Sequence, residues 1–334
     1  MSNIEVVGLG ALNIDHIYQV ERILGDGETV ANKKTISKYE EAEQKFLGTF
    51  PGGSAANTIY GLAKLGISTG FVGAVGDDAE AKILLQDFQK AGVDTSQIKM
   101  KKKKKTGSAK CLSDKLNFRS IRITPGANSR LTIDDIDPAY INQTEILHIS
   151  SFVADRQFKL LLELIDRLES PIKVSFSPGA LYASRGLQSL TPILARTHVL
   201  FINKSEMRQL TGGDFDSGAL HCLGLGCQIV VVTLGQGISY KNKMATSYIR
   251  TADGEYVVEP GDKSVISASD TIGAGDAFAA GFLYGLLKGK RLEECGRLGD
   301  IVARFSISKT GARAGLPTLS ELSRHYLELY HWKL

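Results

Sequence analysis

The residues best suited to chemistry in this 334-residue chain form the run Asp270-Thr-Ile-Gly-Ala-Gly-Asp-Ala-Phe278, which directly precedes an apolar helical segment. A Gly-Ala-Gly turn lets the backbone approach a ligand closely, and the free amides of the next helical turn attract an anion. Asp276 lies in or beside that turn, so its carboxylate can take a proton from a hydroxyl while the amides hold a phosphoryl group. An N-capping aspartate is the structural alternative, and the length of the run favours the functional interpretation.

Two clusters near the amino terminus suit a polyhydroxyl ligand. Gly52 and Gly53 directly precede a predicted helix and permit close backbone approach, and Asn57 near the helix start can both donate and accept hydrogen bonds. Asn13 and Asp15 follow the first predicted strand and can bond two neighbouring hydroxyls. An asparagine near a helix start inside a glycine turn is the structural alternative for Asn57.

A third cluster suits a metal-bound phosphate. Asn203 and Glu206 directly follow the predicted strand Val199–Ile202. Mg²⁺ prefers hard oxygen ligands, usually through water, and an amide beside a carboxylate supplies them. A solvated helix start is the alternative, and the place directly after a strand favours the metal interpretation.

The elements that must position these groups alternate between strand and helix along most of the chain. Strand-to-helix alternation predicts a mainly parallel sheet with helices on both faces. The predicted strands are Ile4–Leu9, Thr69–Val75, Ile146–Ser150, Lys173–Phe176, Val199–Ile202 and Ile229–Thr233, and the predicted helices are Ala55–Leu65, Asp78–Ala91, Phe158–Leu168, Asp276–Lys288 and Cys295–Ser308. Two polar, β-rich segments, about 15–50 and 104–125, interrupt this rhythm and predict a small sheet that covers the site as a lid.

The composition is that of a globular protein, with 43% hydrophobic and 23% charged residues. Six lysines, Lys99 and Lys101–Lys105, convert a balance of −2 into the net charge of +4. The basic charge is therefore local, and the lysine run is predicted to be a solvated, mobile surface loop. Binding of an acidic partner or nucleic acid through this run is the minor alternative, since no aromatic residues interleave with it.

Other signatures are absent from the sequence. It contains no G-x-x-x-x-G-K-[ST] P-loop, no H-E-x-x-H zinc motif and no G-x-S-x-G nucleophile turn. The four scattered cysteines predict reduced thiols, and neither a signal peptide nor a membrane span is expected. A cytoplasmic location is the resulting expectation.

These motifs, in this order, resemble those of the ribokinase-like (PfkB-type) sugar and nucleoside kinases over about residues 4–320. The resemblance implies one ribokinase-like domain over residues 1–334. Its expected fold is a three-layer α/β/α sandwich with a mainly parallel central sheet and a small β-sheet lid. The run 270–278 looks like the carboxyl-terminal signature of the family. By that resemblance Asp276 is the catalytic base, and Gly273, Ala274 and Gly275 form the anion hole.

The resemblance also implies roles for the other motifs. Asn13, Asp15, Gly52, Gly53 and Asn57 match sugar contacts of the relatives. Asn203 and Glu206 match the N-x-x-E motif that orders Mg²⁺ and the ATP phosphates, and Thr233 and Gly235 match a turn near the nucleotide. In the relatives this turn has the pattern T-L-G-x-x-G, whereas in this sequence the second glycine, Gly237, comes one residue earlier. Asp270, with Gly311, matches the position that helps to hold a monovalent cation such as K⁺ in ribokinases.

The expected activity is ATP-dependent phosphorylation of a hydroxymethyl group on a ribose- or fructose-like sugar, with Mg²⁺. A nucleoside kinase is the first alternative, because the segment His148-Ile-Ser-Ser-Phe152 lacks the acid that ribokinases often carry there, and residues 51–58 depart from the closest ribokinases. A catalytically silent sugar- or nucleotide-binding regulator is the second. In relatives the lid strands either pair between subunits, which would give a homodimer, or simply cover the site.

Overall fold

The structure is a computed structural model that describes residues 4–21, 23, 44–114, 119–169, 171–261, 270–331 and 333–334. Within these residues, short apolar runs that are buried on both faces form a central sheet. Its strands are β1 (Val6–Leu9), β4 (Thr69–Val75), β5 (Ile98–Met100), β8 (Ile146–Ser150), β9 (Lys173–Ser177), β10 (Thr197–Asn203), β11 (Ile229–Tyr240), β12 (Lys243–Arg250) and β13 (Glu255–Val258).

The central sheet is mainly parallel. The spatial order of its strands is β13-β12-β11-β10-β9-β8-β1-β4-β5. All neighbours from β11 to β5 pair in parallel, whereas β12 and β13 pair antiparallel at one edge. The carboxyl ends of the parallel strands therefore meet along one edge, where ligands bind in open α/β sheets.

Helices cover both faces of the sheet. One face carries α1 (Ser54–Lys64), α2 (Ala79–Ala91), α9 (Ala274–Leu287), α10 (Leu292–Ser306) and α11 (Leu319–Tyr330), whose apolar sides share one buried cluster. The other face carries α4 (Asp155–Arg167), α5 (Gly179–Ala183), α6 (Gly186–Leu194), α7 (Lys204–Thr211) and α8 (Phe215–Gly224), with the short α3 (Pro138–Asn142) nearby. The predicted three-layer α/β/α sandwich is confirmed.

Four strands form the separate small sheet. They are β2 (Asn13–Gln19), β3 (Lys45–Gly52), β6 (Gly107–Ser113) and β7 (Arg119–Thr124), in the order β3-β2-β6-β7. Ile17, Ala109 and Cys111 on its inner face pack against Ile272 and Ala312. The small sheet therefore touches the loop before α9. Residues 24–43, which belong to the predicted lid segment 15–50, lie outside the described residues.

The structure departs from the predicted elements in the last part of the sheet. The predicted strand Ile229–Thr233 continues to Tyr240, and Lys241 and Asn242 adopt positive φ angles of 50° and 63° to reverse the chain into β12. The sequence reading missed β12, β13 and the short strand β5. It missed these because their alternation of polar and apolar residues is weak.

The lysine run lies on the surface. Lys102, Lys103, Lys104 and Lys105 are exposed, as predicted, and Lys101 pairs with Asp135 at 2.6 Å. The backbone of the run is held in place, because the carbonyl oxygens of Lys104 and Lys105 accept hydrogen bonds from neighbouring loops at 3.0 and 2.8 Å. Among the described residues, no helix is both long enough and apolar enough to span a membrane.

Candidate active site

The turn before α9 is built around a glycine that the fold requires. Gly273 is the N-cap of α9 and has φ +77°, a conformation that side-chain-bearing residues rarely adopt. A Cβ atom at Gly273 would lie 2.5 Å from the Cβ atom of Ala312. Around Gly275, in contrast, a Cβ atom would meet nothing within 4 Å. The first turn of α9 therefore has open space over it.

Asp276, in that first turn, is held at both carboxylate oxygens by α1. The hydroxyl of Ser54 donates to Oδ1 at 2.7 Å, and the amide Nδ2 of Asn57 donates to Oδ2 at 2.9 Å. The hydroxyl of Thr58 donates to the backbone carbonyl of Asp276 at 3.2 Å. These bonds orient the carboxylate before any ligand is present.

Asp276 is half-buried, and desolvation is the main influence on its pKa. Desolvation raises the pKa of Asp276 to about 6, and the nearby Glu206 carboxylate adds to the increase. The hydrogen bonds from Asn57 and Ser54 and the positive charge of Arg313 oppose it. A carboxylate with this pKa is ionised at neutral pH and is a better proton acceptor than an exposed aspartate.

Two glycines bring the start of α1 against β2. A Cβ atom at Gly52 would lie 2.0 Å from Oδ2 of Asp15, and one at Gly53 would lie 2.1 Å from the carbonyl oxygen of Ala11. Gly53 also has φ +103° as the residue that caps α1. No other residue type allows this close approach.

The two predicted site residues on β2, Asn13 and Asp15, are buried. Asn13 is 6% exposed and Asp15 is 7% exposed. Asn128 donates through Nδ2 to Oδ1 of Asn13 at 3.0 Å and also bonds both backbone groups of Leu12, which fixes its own orientation. Burial raises the pKa of Asp15 to about 7, Arg313 opposes the increase, and Asp276 adds to it.

A small cavity beside Asn13 is lined by polar and apolar groups, including Asn128, Ile123, Phe152 and Gln157. Gln157 is fully buried, and its Nε2 donates to the carbonyl oxygen of Leu131 at 3.0 Å. Its Oε1 has no hydrogen-bond partner among the described residues. A buried acceptor of this kind requires a donor from water or a ligand.

Asn203 and Glu206 form the start of α7 at the carboxyl end of β10. Asn203 accepts from the Glu206 amide at 2.8 Å, and Glu206 accepts from the Asn203 amide at 3.1 Å. This reciprocal cap confirms a helix start, which was the structural alternative, and it places both side chains at the sheet edge that holds Asp276. Their amide and carboxylate oxygens are hard donors, so the pair fits an Mg²⁺ ion held through water.

The remaining predicted residues lie nearby. Thr233 on β11 pairs with Asn203 on β10, and Gly235 follows with φ +65°. Asp270 accepts from the backbone amides of Ile272 at 2.9 Å and of Gly311 at 3.0 Å. Gly311 thus meets Asp270 through an N–H donor, which is not a cation ligand. Residues 262–269, just before Asp270, lie outside the described residues.

The sequence reading did not single out five residues that contact this site. Ser54 and Thr58 lie beside Asn57 within the glycine-rich segment 51–58, and this position was the available signal. Arg313 lies two residues after Gly311, and its Nε donates to Oδ1 of Asn57 at 2.9 Å. Asn128 and Gln157 had no signal, because they reach the site from loops and helices far along the chain.

Comparison with known proteins identifies the family. The model of the pfkB family carbohydrate kinases matches residues 3–319. This chain belongs to the PfkB family of carbohydrate kinases. It is therefore a kinase of the ribokinase group, a phosphotransferase that acts on a hydroxyl group of a sugar or nucleoside.

Individual relatives support this assignment. An uncharacterized sugar kinase of Archaeoglobus fulgidus is 39% identical over 257 residues, which is 77% of this chain and 98% of that protein. A ribokinase of Staphylococcus aureus is 27% identical and covers 96% of this PfkB-family chain and 99% of its own length. A nucleoside kinase of Methanocaldococcus jannaschii is 28% identical over 95% of this chain and 94% of its own.

Solved structures share the fold. The ribokinase of Thermotoga maritima superposes with a TM-score of 0.76 at 25% identity, over 97% of this chain and 99% of that chain. A putative ribokinase II of E. coli, solved in complex with ATP and Mg²⁺, gives a TM-score of 0.78 at 18% identity, over 97% and 99% of the two chains.

Proposed function

We propose that this kinase transfers the γ-phosphoryl group of ATP to a hydroxymethyl group of a ribose- or fructose-like sugar, with Asp276 as the base. The observation that carries the proposal is the environment of Asp276. Its carboxylate lies in the first turn of α9, is oriented by Ser54 and Asn57, and has a pKa raised to about 6. A base of this pKa is ionised at neutral pH and suited to proton transfer.

The reaction needs one proton acceptor and several charge-stabilising groups. The substrate oxygen attacks the γ-phosphorus, the bond to the bridging oxygen breaks, ADP leaves, and the hydroxyl proton passes to Asp276. Gly273, Ala274 and Gly275 form the anion hole, because the amides at a helix start stabilise negative charge on the transferred group. The open space over Gly275 leaves room for that group.

The nucleotide lies on the other side of the site in this proposal. Asn203 and Glu206 hold Mg²⁺ through water, and Thr233 and Gly235 contact the nucleotide. When bound, Mg²⁺ supplies charge neutralisation on the phosphate oxygens. An E. coli protein of the same fold was solved with ATP and Mg²⁺, which supports the choice of these two ligands. A K⁺ site at Asp270 and Gly311 stays a prediction. Each carboxylate oxygen of Asp270 already accepts a hydrogen bond from a backbone amide, so a bound ion would share these oxygens.

The acceptor substrate binds between the small sheet and α1 in this proposal. Asn13, Asp15, Gly52, Gly53 and Asn57 contact its hydroxyl groups. The burial of Asp15 supports this, because a buried carboxyl group needs a polar partner, which a hydroxyl of the acceptor supplies; Asn13 already accepts a hydrogen bond from Asn128. The small sheet acts as a lid that excludes water and so limits ATP hydrolysis. Homodimer formation through this lid stays a prediction.

A nucleoside is the second candidate acceptor. Phe152 and Ile123 wall the cavity beside Asn13, and Phe152 lies in the segment where ribokinases often carry an acid. An apolar wall next to ribose-binding groups suits a nucleobase attached to that ribose. The nucleoside kinase of M. jannaschii, at 28% identity, is consistent with this candidate.

The test is ADP release from ATP with Mg²⁺ against ribose, fructose, other hexoses, adenosine, cytidine and inosine. Reactions without an acceptor give the background of ATP hydrolysis. A single acceptor that raises ADP release well above this background, and whose product carries phosphate on a hydroxymethyl group, would support the proposal. Stimulation by nucleosides alone would favour the second candidate. Tight ATP binding without turnover on any acceptor would favour a silent regulator.

A further inference from the structure

A three-residue segment near the carboxyl terminus contacts both the turn before α9 and the start of α1. The amide of Gly311 donates to Asp270, just before the glycine turn of α9, at 3.0 Å. The side chain of Ala312 lies against Gly273 in that turn. Arg313 then extends to the start of α1. Gly311, Ala312 and Arg313 therefore connect the base-bearing helix to the helix that orients the base.

Arg313 is buried, and each of its three guanidinium nitrogens donates a hydrogen bond. It is 7% exposed, and its Nε donates to Oδ1 of Asn57 at 2.9 Å. Nη1 donates to Asp87 on α2 at 2.6 Å, and Nη2 donates to the carbonyl oxygen of Gly52 at 3.1 Å. The charged carbon lies 5.2 and 5.0 Å from the ring centres of Tyr60 and Phe88.

We propose that Arg313 is a positioning residue that orients Asn57 and thereby the catalytic carboxylate. The inference rests on the proposed function, in which Asp276 is the base. An asparagine amide has one oxygen and one nitrogen, so a donor from Arg313 at Oδ1 forces Nδ2 toward Asp276. The reverse orientation of the Asn57 amide would place its Nδ2 against the Nε donor of Arg313 and its Oδ1 against the carboxylate of Asp276.

The neighbouring charges explain why an arginine suits this place. Asp87 provides the direct counter-charge, and Asp15 and Asp276 lie near enough for Arg313 to oppose the increase in their pKa values. Glu206 acts on Asp276 with the opposite sign. Lysine could supply the charge, but it lacks the planar fork that reaches Asn57, Asp87 and the Gly52 carbonyl together.

If Arg313 only stabilised the fold, a different experimental result would be expected. Removal of one partner of a buried ion pair destabilises a protein because the other charge is left uncompensated, but it need not change the kinetics of the folded molecules. An orienting role acts through Asn57, so the effects of changing Arg313 and Asn57 on kcat must be non-additive. This difference is measurable even when both variants are less stable than the wild type.

The experiment measures kcat, acceptor KM and thermal stability of Arg313→Lys, Asn57→Ala and the double variant on the best acceptor of the panel. Arg313→Lys is expected to lower kcat about 10-fold or more, since small misplacements of catalytic groups cost up to about 100-fold. In the Asn57→Ala background, the same change should lower kcat less than about 3-fold. Arg304→Met, which removes a partly buried pair with Asp300 elsewhere on α10, is the matched control and should leave kcat unchanged.

A second variant separates charge from geometry. Arg313→Met removes the positive charge, so the pKa of Asp276 should rise. The fall of kcat at the acid side of its pH profile (the acid limb) should therefore move to higher pH. In Arg313→Lys this limb should stay near its wild-type position while kcat falls. If Arg313→Met does not fold, the Lys variant and its double-mutant cycle still decide the question.

The outcomes separate the two proposals. A wild-type enzyme without activity on any acceptor contradicts the proposed function. An active wild type with a wild-type kcat in Arg313→Lys overturns the inference alone. Equal fold-losses for Arg313→Lys with and without Asn57 also overturn it, because the arginine would then act independently of Asn57.

Discussion

At the start of α9, both carboxylate oxygens of Asp276 accept hydrogen bonds from α1, and Asn57 and Thr58 beside it are buried. At the start of α7, Asn203 and Glu206 bond each other's backbone amides on an exposed surface. The proposed acceptor half of the site is therefore arranged by the protein itself. In the proposed nucleotide half, Asn203 and Glu206 lie in a reciprocal helix cap at the surface. Changes in the first half should alter kcat and its pH dependence, whereas changes in the second should alter nucleotide and metal requirements.

The sharpest contrast is expected between two glycines of one turn. Gly275→Ala should lower kcat/KM by about 100-fold, the usual cost of disturbing one oxyanion donor, because the added methyl group occupies the space kept for the phosphoryl group. Its thermal stability should not fall, since alanine favours the helix. Gly273→Ala should instead lower thermal stability, because of its φ of +77° and the close approach of Ala312. Wild-type kcat/KM in Gly275→Ala would contradict the assignment of the anion hole.

A smaller effect is expected in the nucleotide half. Glu206→Gln should raise the Mg²⁺ concentration needed for half-maximal activity by about 10-fold, because one negative ligand charge is lost. Glu321→Gln is a matched control, since Glu321 makes the same kind of helix cap with Thr318 on α11. Both variants should show a similar change in thermal stability, and only Glu206→Gln should change the Mg²⁺ titration. The same Mg²⁺ requirement in Glu206→Gln and Glu321→Gln would contradict the assignment of Glu206 to the metal site.

The smallest change concerns one hydroxyl group. With the pKa of Asp276 at about 6, its carboxyl becomes protonated as the pH falls through 6, so kcat should fall there and remain high above it. Ser54→Ala removes a hydrogen bond to the charged form, so the pKa should rise and this limb should move upward by about one pH unit. Ser184→Ala, whose hydroxyl bonds the carbonyl oxygen of Leu181 at the surface, should leave the profile unchanged. A limb that stays in place in Ser54→Ala would show that another group controls it.

Much of the fold could be predicted because its strands carry local signals. The apolar runs Thr69–Val75 and Ile146–Ser150 match β4 and β8 in both bounds, since strands buried on both faces read as continuous apolar segments. The helix after Asp78 was predicted one residue early, because Asp78 is its N-cap and accepts from the amide of Ala81 at 3.0 Å. The continuation of β11 from Leu234 to Tyr240 and its partner β12 were missed, since the tip of this hairpin is exposed and its turn lacks glycine.

The site could be predicted less completely. The glycine turns and the carboxylate of Asp276 stand in local motifs, but the contacts that orient them join residues far apart in the chain. Ser54 and Asp276 are 222 positions apart, and Asn57 and Arg313 are 256 positions apart. Such pairs depend on how α1 and α9 pack, and no spacing rule encodes them. Asn203 and Glu206 show the converse: the structure confirms a helix cap at this spacing, and the metal site that their place after a strand favours stays a prediction.

The most direct test of the account measures turnover and ATP binding of Asp276→Asn beside the wild type. Asparagine keeps the size of the side chain and can still meet Ser54, but it cannot accept the proton. The account predicts that kcat falls by about 1,000-fold, within the usual range for loss of a general base, while the Kd for ATP with Mg²⁺ changes less than about 3-fold. Turnover within 10-fold of the wild type, in a folded variant, would contradict the role of Asp276 as the base.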